Sequence, residues 1–317
     1  MLHLRIVAPA GLGPAVLDAL RGDPAVATLT VQRGAAVDPI GDVIEADVAR
    51  EAVNGVIDRL RQTGVEQTGS ITLTTPASWL SRRGVEAEVR TPGAPSDAVV
   101  WNDVVQKAYD ETSITWTFLS FMVLATLLAS IAIVLDSPIL IIGAMVLGPE
   151  FGAIASLGIS LVRRRPTLLR RALRSLAVGF GVALIITTLL ALIARAAGWV
   201  AAEQIIGPRP GTDFIYHPDP WSLVVAVLAG AAGVLSMTSS RSSGLVGVFI
   251  SVTTIPAAGN LALALAFLEG PEIIGSGLQL VINITGMGLA GWATLAVQQS
   301  VWRRLSDRRS RGQAEGD

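Results

Sequence analysis

The order of apolar and polar side chains divides the chain near residue 114. Before this point, short apolar stretches alternate with charged residues, and just over half of all charged side chains lie here. After it, the apolar runs are long enough to cross the hydrocarbon core of a bilayer, which takes about 20 residues of helix. The pattern therefore predicts a water-facing N-terminal region followed by a membrane region.

The first 76 residues switch repeatedly between the repeat of a strand and that of a helix. Alternating stretches near residues 3–7, 26–32, 43–48 and 71–73 predict four strands, and helical spacing after the first and third strands predicts two helices. The order βαββαβ predicts a soluble α+β domain over residues 1–76 with the ferredoxin-like fold, a four-stranded antiparallel sheet with both helices on one face. Such a domain either regulates or assembles the protein or is a packing module, and the fold alone does not decide.

Residues 77–114 connect the two regions. Residues 77–98 are rich in proline, glycine and charge without a sustained repeat, which predicts a linker. Residues 99–114 place Trp101 and Tyr109 among the apolar residues of one helical face, which is typical of an amphipathic helix at a membrane surface. A helix packed on the soluble domain fits the same pattern.

Six apolar segments within residues 115–302 predict an all-α bundle of six transmembrane helices. The segments are residues 115–135, 138–162, 172–195, 221–240, 243–267 and 273–299. Arginines concentrate after the second segment and in the tail 303–317, which is basic and then polar, whereas the opposite loops are acidic. Because positively charged loops stay in the cytoplasm, we expect a multi-pass protein of the plasma (inner) membrane with both termini cytoplasmic. We expect no signal peptide at the N-terminus.

The second and fifth segments each contain a proline followed three residues later by a glycine, Pro149 with Gly152 and Pro256 with Gly259. A proline removes one backbone donor and clashes with the preceding turn, so each segment is predicted to break into two half-helices. The matching positions predict two inverted three-helix repeats with broken second helices. A simple proline kink is the alternative at both places.

Breaks at matching positions of an inverted repeat indicate a solute site near the middle of the membrane. Glu150 is a carboxylate inside an apolar segment, which is costly in lipid. It is therefore predicted to carry a proton, bind a cation or lie at a half-helix N-terminus, unless it lies in a hydrated vestibule. The predicted substrate-binding residues are Gly148, Pro149, Glu150, Gly152, Thr253, Thr254, Pro256, Gly259, Asn260, Asn283 and Thr285.

Composition argues against most enzymes. The chain has no cysteine and only two histidines, His3 and His217, so thiolate zinc sites and a Ser-His-Asp triad lack material. We expect no catalytic residues, no metal and no cofactor. Nucleic acid is not an expected partner, because the net charge is −1 and the arginine clusters lie beside membrane ends without interleaved aromatic rings. Glycine-rich helix faces predict close helix contacts and a homo-oligomer in the lipid bilayer.

The stretch SPILIIGAM at residues 137–145, continuing as VLGPEFGAIASLGISL, resembles a large prokaryotic family of polytopic membrane proteins of unknown function. These are the hydrophobic domain proteins, with domain of unknown function three-eight-nine. The later stretches VTTIPAAGNLALALAF and LQLVINITGMGLAGW are similar to the second half of that family. The resemblance covers residues 100–300 and implies a polytopic inner-membrane protein, often with a variable soluble extension. It implies no particular activity.

Two functions from different classes fit these observations. The first is a transporter or channel-like protein for a small solute, with an anion favoured, regulated by the cytoplasmic domain. The alternative is a membrane sensor or scaffold that transports nothing, in which the soluble domain binds a metabolite or a protein partner and the helices anchor it.

Overall fold

A computed structural model describes residues 1–91, 99–201, 203–207, 209–212, 215, 220–238 and 246–314, without the side chains of 206, 246–253 and 302–314. The chain divides into two units. Unit 1 is built around Met1–Asp103 and unit 2 around Val104–Met237 and 241–301.

Unit 1 contains a four-stranded antiparallel sheet. Its elements are β1 (Leu2–Pro9), α1 (Gly13–Leu20), β2 (Val26–Val37), β3 (Ile40–Val48), a 3-10 turn (Arg50–Ala52), α2 (Val53–Gln62), α3 (Val65–Thr68) and β4 (Ser70–Thr74). The strand order is β2-β3-β1-β4, with β1 antiparallel to both neighbours. The predicted antiparallel sheet is confirmed, and its order is the one expected of a βαββαβ chain.

Alternation along β1 explains how this sheet buries one face. Leu4 and Ile6 are fully buried, while Arg5 between them is exposed. Leu20 of α1 and Leu60 of α2 belong to the same apolar cluster as these two strand residues. The two helices therefore cover the apolar face of the sheet, and the remaining face keeps its polar side chains.

The predicted linker contains a helix. Residues 82–90 form α4 (Arg82–Arg90), whose first turn is capped by the Ser81 hydroxyl, which accepts from the Gly84 N–H at 3.0 Å. Glu86 lies within salt-bridge distance of Arg82 and Arg90, one turn away on each side. Capping and these i,i+4 pairs stabilise a helix that composition alone did not indicate. The next helix, α5 (Trp101–Glu111), confirms the helix predicted over residues 99–114.

Unit 2 is helical. Its helices are α6 (Trp116–Val134), α7 (Pro138–Leu147), α8 (Phe151–Val162), α9 (Pro166–Ala196), α10 (Glu203–Ile206), α11 (Pro220–Thr238), α12 (Val246–Phe267) and α13 (Gly270–Ala314). Among the described residues, four helices are long and apolar enough to cross a membrane, namely α6, α9, α11 and α13. The pair α7 and α8 makes a fifth if it is one bent span. The fifth predicted segment, 243–267, corresponds to α12, whose apolar part with described side chains is shorter, Thr254–Phe267.

The two proline-containing segments differ. Helices α7 and α8 are bent by 57° across the break at 148–150, where Gly148 has an extended backbone with ψ 118°. The break predicted at Pro256 is wrong, because α12 continues from Val246 to Phe267 with this proline inside it. The two predicted three-helix repeats therefore lack breaks at matching positions. The inverted repeat stays a prediction.

Hydrogen bonds fix the direction of several helices in unit 2. Asp136, between α6 and α7, accepts from the Gly211 N–H at 3.2 Å and from the Thr212 hydroxyl at 2.9 Å. In the same segment, Arg209 donates to Glu272 at the start of α13, at 2.6 Å. As a result, α7 and α13 both start at the same end of unit 2.

Candidate functional site: a buried polar column

The predicted site residue Glu150 lies at the break between α7 and α8, directly before the first turn of α8. Its side chain is 0% exposed and makes no capping bond to that turn. Instead, the Thr254 hydroxyl of α12 donates to Glu150 Oε1 at 2.7 Å. At the break between α7 and α8, the Glu150 carboxylate thus reaches the neighbouring helix α12.

A second polar group lies near the turn that joins α12 and α13. The Arg209 guanidinium is 4% exposed and donates to Asn260 Oδ1 at 3.0 Å and to Glu272 at 2.6 Å. The Asn260 amide donates in turn to Glu272 at 3.1 Å and to the Ser276 hydroxyl at 2.9 Å. Because removing one partner of a buried ion pair costs about 3–5 kcal/mol, these contacts hold the segment at residue 209 firmly against both helices.

One face of α13 carries a row of buried polar side chains. Glu272, Ser276, Gln279 and Asn283 follow one another at spacings of four, three and four residues, which places them on a single helical face. Ser276 and Asn283 are fully buried, and Gln279 is 3% exposed. The Gln279 amide donates to Asn283 Oδ1 at 3.4 Å. Since a helix rises about 1.5 Å per residue, this row extends about 16 Å along α13.

The hydrogen bond between Asn260 and Ser276 aligns α12 with α13. These residues lie at equal distances in sequence from the turn at residue 268, as expected of two antiparallel helices joined by a short turn. About two helical turns further from the connection at residue 268 lie Thr253 on α12 and Asn283 on α13. Asn283 is therefore level with the part of α12 that holds Thr254, the partner of Glu150.

The alignment of α8 with α13 gives the same result independently. Gly158 of α8 lies against the α13 backbone, since a Cβ there would be 2.8 Å from the Trp292 nitrogen and 2.9 Å from the Gly291 carbonyl carbon. Eight residues before this contact in each helix come Glu150 and Asn283. Both counts put these two residues at a similar level along their helices.

These side chains form what we call the polar column. It begins with the layer of Glu150, Thr254 and Asn283, continues at Gln279, and ends at the layer of Arg209 with its partners. Its members are Glu150, Arg209, Thr254, Asn260, Glu272, Ser276, Gln279 and Asn283. In a helical bundle with apolar outer surfaces, buried polar side chains line solute paths or pair with one another.

Four of the predicted site residues lie in the polar column, and the others have different places. Gly148 and Pro149 form the break beside Glu150, and both are half-buried. Pro256 lies inside continuous α12, and Thr285 is exposed on the outer surface of α13. The side chain of Thr253 lies outside the described residues.

Two predicted glycines serve helix packing. A Cβ on Gly259 would lie 2.8 Å from Ala129 Cβ and 3.0 Å from the Ser130 nitrogen of α6. The Ser130 hydroxyl donates to the Gly259 carbonyl at 3.0 Å. On α8, a Cβ on Gly152 would lie 2.7 Å from Glu111 Cβ. Both glycines allow a neighbouring segment to approach the helix closely.

Ala108 and Glu111 of α5 lie along the first part of α8. The Ser156 hydroxyl of α8 donates to the Ala108 carbonyl of α5 at 3.2 Å. Partial burial of the Glu111 carboxyl beside α8 raises its pKa above the ordinary value of 4.5, and the neighbouring charge of Asp110 raises it further. A proton-binding group therefore rests on the turn of α8 that follows Glu150.

Four members of the polar column were not predicted from the sequence. Glu272, Ser276 and Gln279 share the helical spacing of Asn283, and that spacing was visible in the sequence. Arg209 is different, because it lies in a connection and its burial depends on how distant helices meet. Among the residues that the structure describes, no group of three or more histidines and acidic residues is placed to hold a metal ion.

Taken together, the apolar helices and the N-terminal sheet define a helical membrane protein with a small α+β region. Residues 145–289 match the model of the family described as Domain of unknown function (DUF389). This match confirms the resemblance noted in the sequence, and the matched segment holds the whole polar column.

A relative of uncharacterized function is found among curated proteins. Uncharacterized protein MJ0678 of Methanocaldococcus jannaschii is 26% identical over 160 residues, which are 50% of this chain and 47% of that protein. The chain thus spans about half the length of the curated relative it matches. No solved structure gives a significant match to the chain.

Proposed function

We propose that the protein carries a small solute, with an anion favoured, across the inner membrane along the polar column, and that it is not an enzyme. The observation that carries the proposal is the position of Glu150, fully buried at a helix break and bonded to Thr254 on another helix. Polar and ionisable side chains inside a membrane are expensive and are kept where they line a path or bind a solute.

The break itself supports an anion. Helix α8 begins at Phe151, so its N-terminal end, which carries a partial positive charge, lies inside the helical unit at the break. Arg209 adds a buried guanidinium at the other end of the column. An anion entering the column would meet both of these positive groups.

Regulation by the soluble region is proposed from the contacts of α5. Within unit 1, the Trp101 N–H donates to Asn54 Oδ1 of α2 at 3.2 Å, so the start of α5 is held by the soluble region. Within unit 2, Ala108 and Glu111 of the same helix contact α8. A displacement of α5 would therefore be felt at the turn next to Glu150.

The orientation and the assembly are part of the same proposal. Arginines follow α8 at 163–165, at the end of unit 2 opposite to Asp136, which supports a cytoplasmic position for that end. With six crossings, both termini would be cytoplasmic. Gly277 has no atom within 4 Å of an added Cβ, so a helix of a second copy can approach there in a homo-oligomer.

The test is ion flux through the purified protein. Proteoliposomes would be given gradients of potassium chloride, potassium phosphate or potassium acetate, and transient currents would be recorded on a solid-supported membrane. We expect a protein-dependent current with at least one of these anions, and its strong reduction by Glu150→Gln. Ser300→Ala, a change on the exposed surface of α13, should leave the current unchanged. Absence of current with every anion would contradict the proposal.

The continuity of α12 through Pro256 favours a second candidate function. With one broken segment among the residues that the structure describes, unit 2 can serve as an anchor while the soluble region binds a metabolite or a protein partner. In that case the wild-type protein and Glu150→Gln would both give currents no larger than those of empty vesicles. The ligand of the full-length protein would be recognised by unit 1.

A further inference from the structure

The first turns of α9 carry three exposed arginines, Arg170, Arg171 and Arg174, which we call the arginine face. Successive residues of a helix differ by about 100° around its axis, so these three lie within an arc of about 100°. Leu168 and Ala172 of the same turns are fully buried and lie on the other side of the helix. The arginine face therefore points away from the helices that pack on α9.

A tyrosine of α5 holds one of these arginines. The Arg171 guanidinium carbon lies over the Tyr109 ring, 5.3 Å from the ring centroid. The hydroxyls of Tyr109 and Thr167 share a hydrogen bond of 2.9 Å, which fixes the ring against the first turn of α9. A cation–π contact orients a guanidinium but leaves its net positive charge in place. Arg171 is thus positioned and still able to pair with an anion.

The charges around the arginine face are mostly positive. Residues 163–174 contain six arginines and no acidic residue. Among the residues that the structure describes, no carboxylate lies within salt-bridge distance of the arginine face. Within unit 2, α5 adds one lysine and two carboxylates, of which Asp110 accepts from Gln106 and Glu111 lies against Gly152. A surplus of positive charge remains when both carboxylates are counted.

The arginine face lies at one end of an apolar stretch of membrane-spanning length. Residues 175–194 of α9 contain no charged side chain, and a helix of about 20 residues crosses the hydrocarbon of a bilayer. Ile185 and Leu189 of this stretch are exposed, as expected of side chains that face lipid tails. The arginines therefore lie at the level of the lipid headgroups, where the phosphates are.

The surface beside the arginines favours a lipid over a soluble anion. Leu173 lies next to Arg170 and Arg174 on the helix surface and is 52% exposed. The acyl chains of a lipid whose phosphate meets these arginines would cover this side chain, whereas a soluble anion would leave it in water. Guanidinium groups pair with phosphate oxygens through two parallel hydrogen bonds. A phospholipid with net negative charge is favoured over a zwitterionic one, whose ammonium group opposes the attraction.

We infer that the arginine face is a binding site for an anionic phospholipid, in which Arg170, Arg171 and Arg174 bind the headgroup phosphate and Tyr109 positions Arg171. The inference goes beyond the proposed function. It requires that α9 lies in a membrane, and it does not depend on which solute passes along the polar column.

The test compares melting curves of the purified full-length protein, freed of lipid in detergent. Phosphatidylglycerol or phosphatidylcholine with the same acyl chains is then added. Because a ligand that binds only the folded state stabilises it, phosphatidylglycerol should raise the melting temperature more than phosphatidylcholine does. The triple variant Arg170→Gln, Arg171→Gln, Arg174→Gln should lose most of this difference.

A matched triple variant controls for net charge. Arg5→Gln, Arg21→Gln and Arg33→Gln remove the same charge from exposed positions of unit 1, and this variant should respond to phosphatidylglycerol like the wild type. The role of Tyr109 is tested by two further variants. Tyr109→Phe keeps the ring and should keep the response, whereas Tyr109→Leu removes the ring and should weaken it.

Melting without lipid shows whether each variant folds. Should the triple variant at the arginine face be unfolded, the single variants Arg170→Gln and Arg174→Gln supply the comparison, and each should lose a part of the response. Inorganic phosphate, added at the same concentration as the lipid, should give a much smaller shift.

Four results would overturn the inference. Equal stabilisation by the two lipids would show that the protein does not recognise headgroup charge. An equal loss in both triple variants would show that only net charge matters. A shift by inorganic phosphate as large as that by phosphatidylglycerol would assign the arginine face to a soluble anion. An unchanged lipid response of the triple variant, with a smaller assembly in size-exclusion chromatography, would assign it to a second copy of the chain.

Discussion

Two apolar segments of this protein each carry a proline followed by a glycine, yet only one of them is broken. At 148–150 the chain leaves the helix and bends by 57°, whereas α12 passes through Pro256 without interruption. The residue before a proline is disfavoured in helical conformation. Gly148 yields to this restriction at little cost and takes an extended backbone. Ile255 remains helical, because it is fully buried.

The surroundings of the two prolines explain this difference. The residues after Pro256 are Ala257, Ala258 and Gly259, all fully or almost fully buried, and they bring α12 against α6. Packing of this whole surface outweighs the missing hydrogen bond of one proline. At the other proline, Glu150 follows instead, and at the helix break its Oε1 accepts a hydrogen bond from Thr254. Whether a proline breaks a helix depends on what its neighbours contact.

The largest effect is expected from a side chain that disrupts the close contact between α12 and α6. Gly259→Val places a side chain against Ala129 and the Ser130 backbone, where even a Cβ would be 2.8–3.0 Å from its neighbours. Overpacking of this kind costs about 1–3 kcal/mol or more. A clearly lower melting temperature in detergent should result. The matched change Gly181→Val, where no atom lies within 4 Å of an added Cβ, should have little effect, and equal effects would contradict the packing explanation.

A smaller effect of opposite sign is expected at the prolines themselves. Pro256→Ala restores a backbone donor in an existing helix, where proline is unfavourable by about 3 kcal/mol relative to alanine, so stability should increase by a part of that amount. Pro149→Ala should gain much less, because Gly148 and Glu150 still hold the break. Thermal melting of the two variants measures the difference. A greater gain for Pro149→Ala would show that the proline alone maintains the break.

The smallest expected effect concerns Glu111 of α5, whose side chain lies against Gly152 of α8, close to the break. Its pKa is raised in the folded protein by burial, so the folded state holds the proton more tightly than the unfolded chain. Stability should therefore fall as the pH rises from about 4.5 through the raised pKa. Glu111→Gln should remove this part of the pH dependence in melting curves taken between acidic and neutral pH. Asp18→Asn, at an exposed position of α1, serves as the control, and an unchanged profile for Glu111→Gln would contradict the assignment.

Much of the fold could be predicted because its causes are local. The alternation in residues 1–76 predicted the strands, and Pro149 with Gly152 predicted the break that the structure has at 148–150. Pro256 misled the prediction because the packing of α12 on α6 cannot be read from neighbouring residues. Thr285 was predicted to lie with Asn283, although two residues are about 200° around a helix and place it on the opposite face.

Half of the polar column was accessible to sequence reasoning in the same way. Glu150, Thr254, Asn260 and Asn283 stood out as polar residues in apolar segments. Gln279 and Ser276 follow from the helical spacing of Asn283 once that face is known to be buried. Arg209 could not be predicted, because its contacts with Asn260 and Glu272 depend on a connection folding back onto two helices.

The most direct test of the polar column uses the absence of natural cysteines from the chain. Single substitutions Ser276→Cys, Gln279→Cys and Asn283→Cys would be treated in membrane vesicles with a charged, water-soluble methanethiosulfonate reagent. Val281→Cys, on the exposed outer surface of the same helix, is the comparison. A water-accessible path predicts modification at the first three positions and little at Val281→Cys. Modification of Val281→Cys alone, or of none of the four, would contradict the existence of a path along the column.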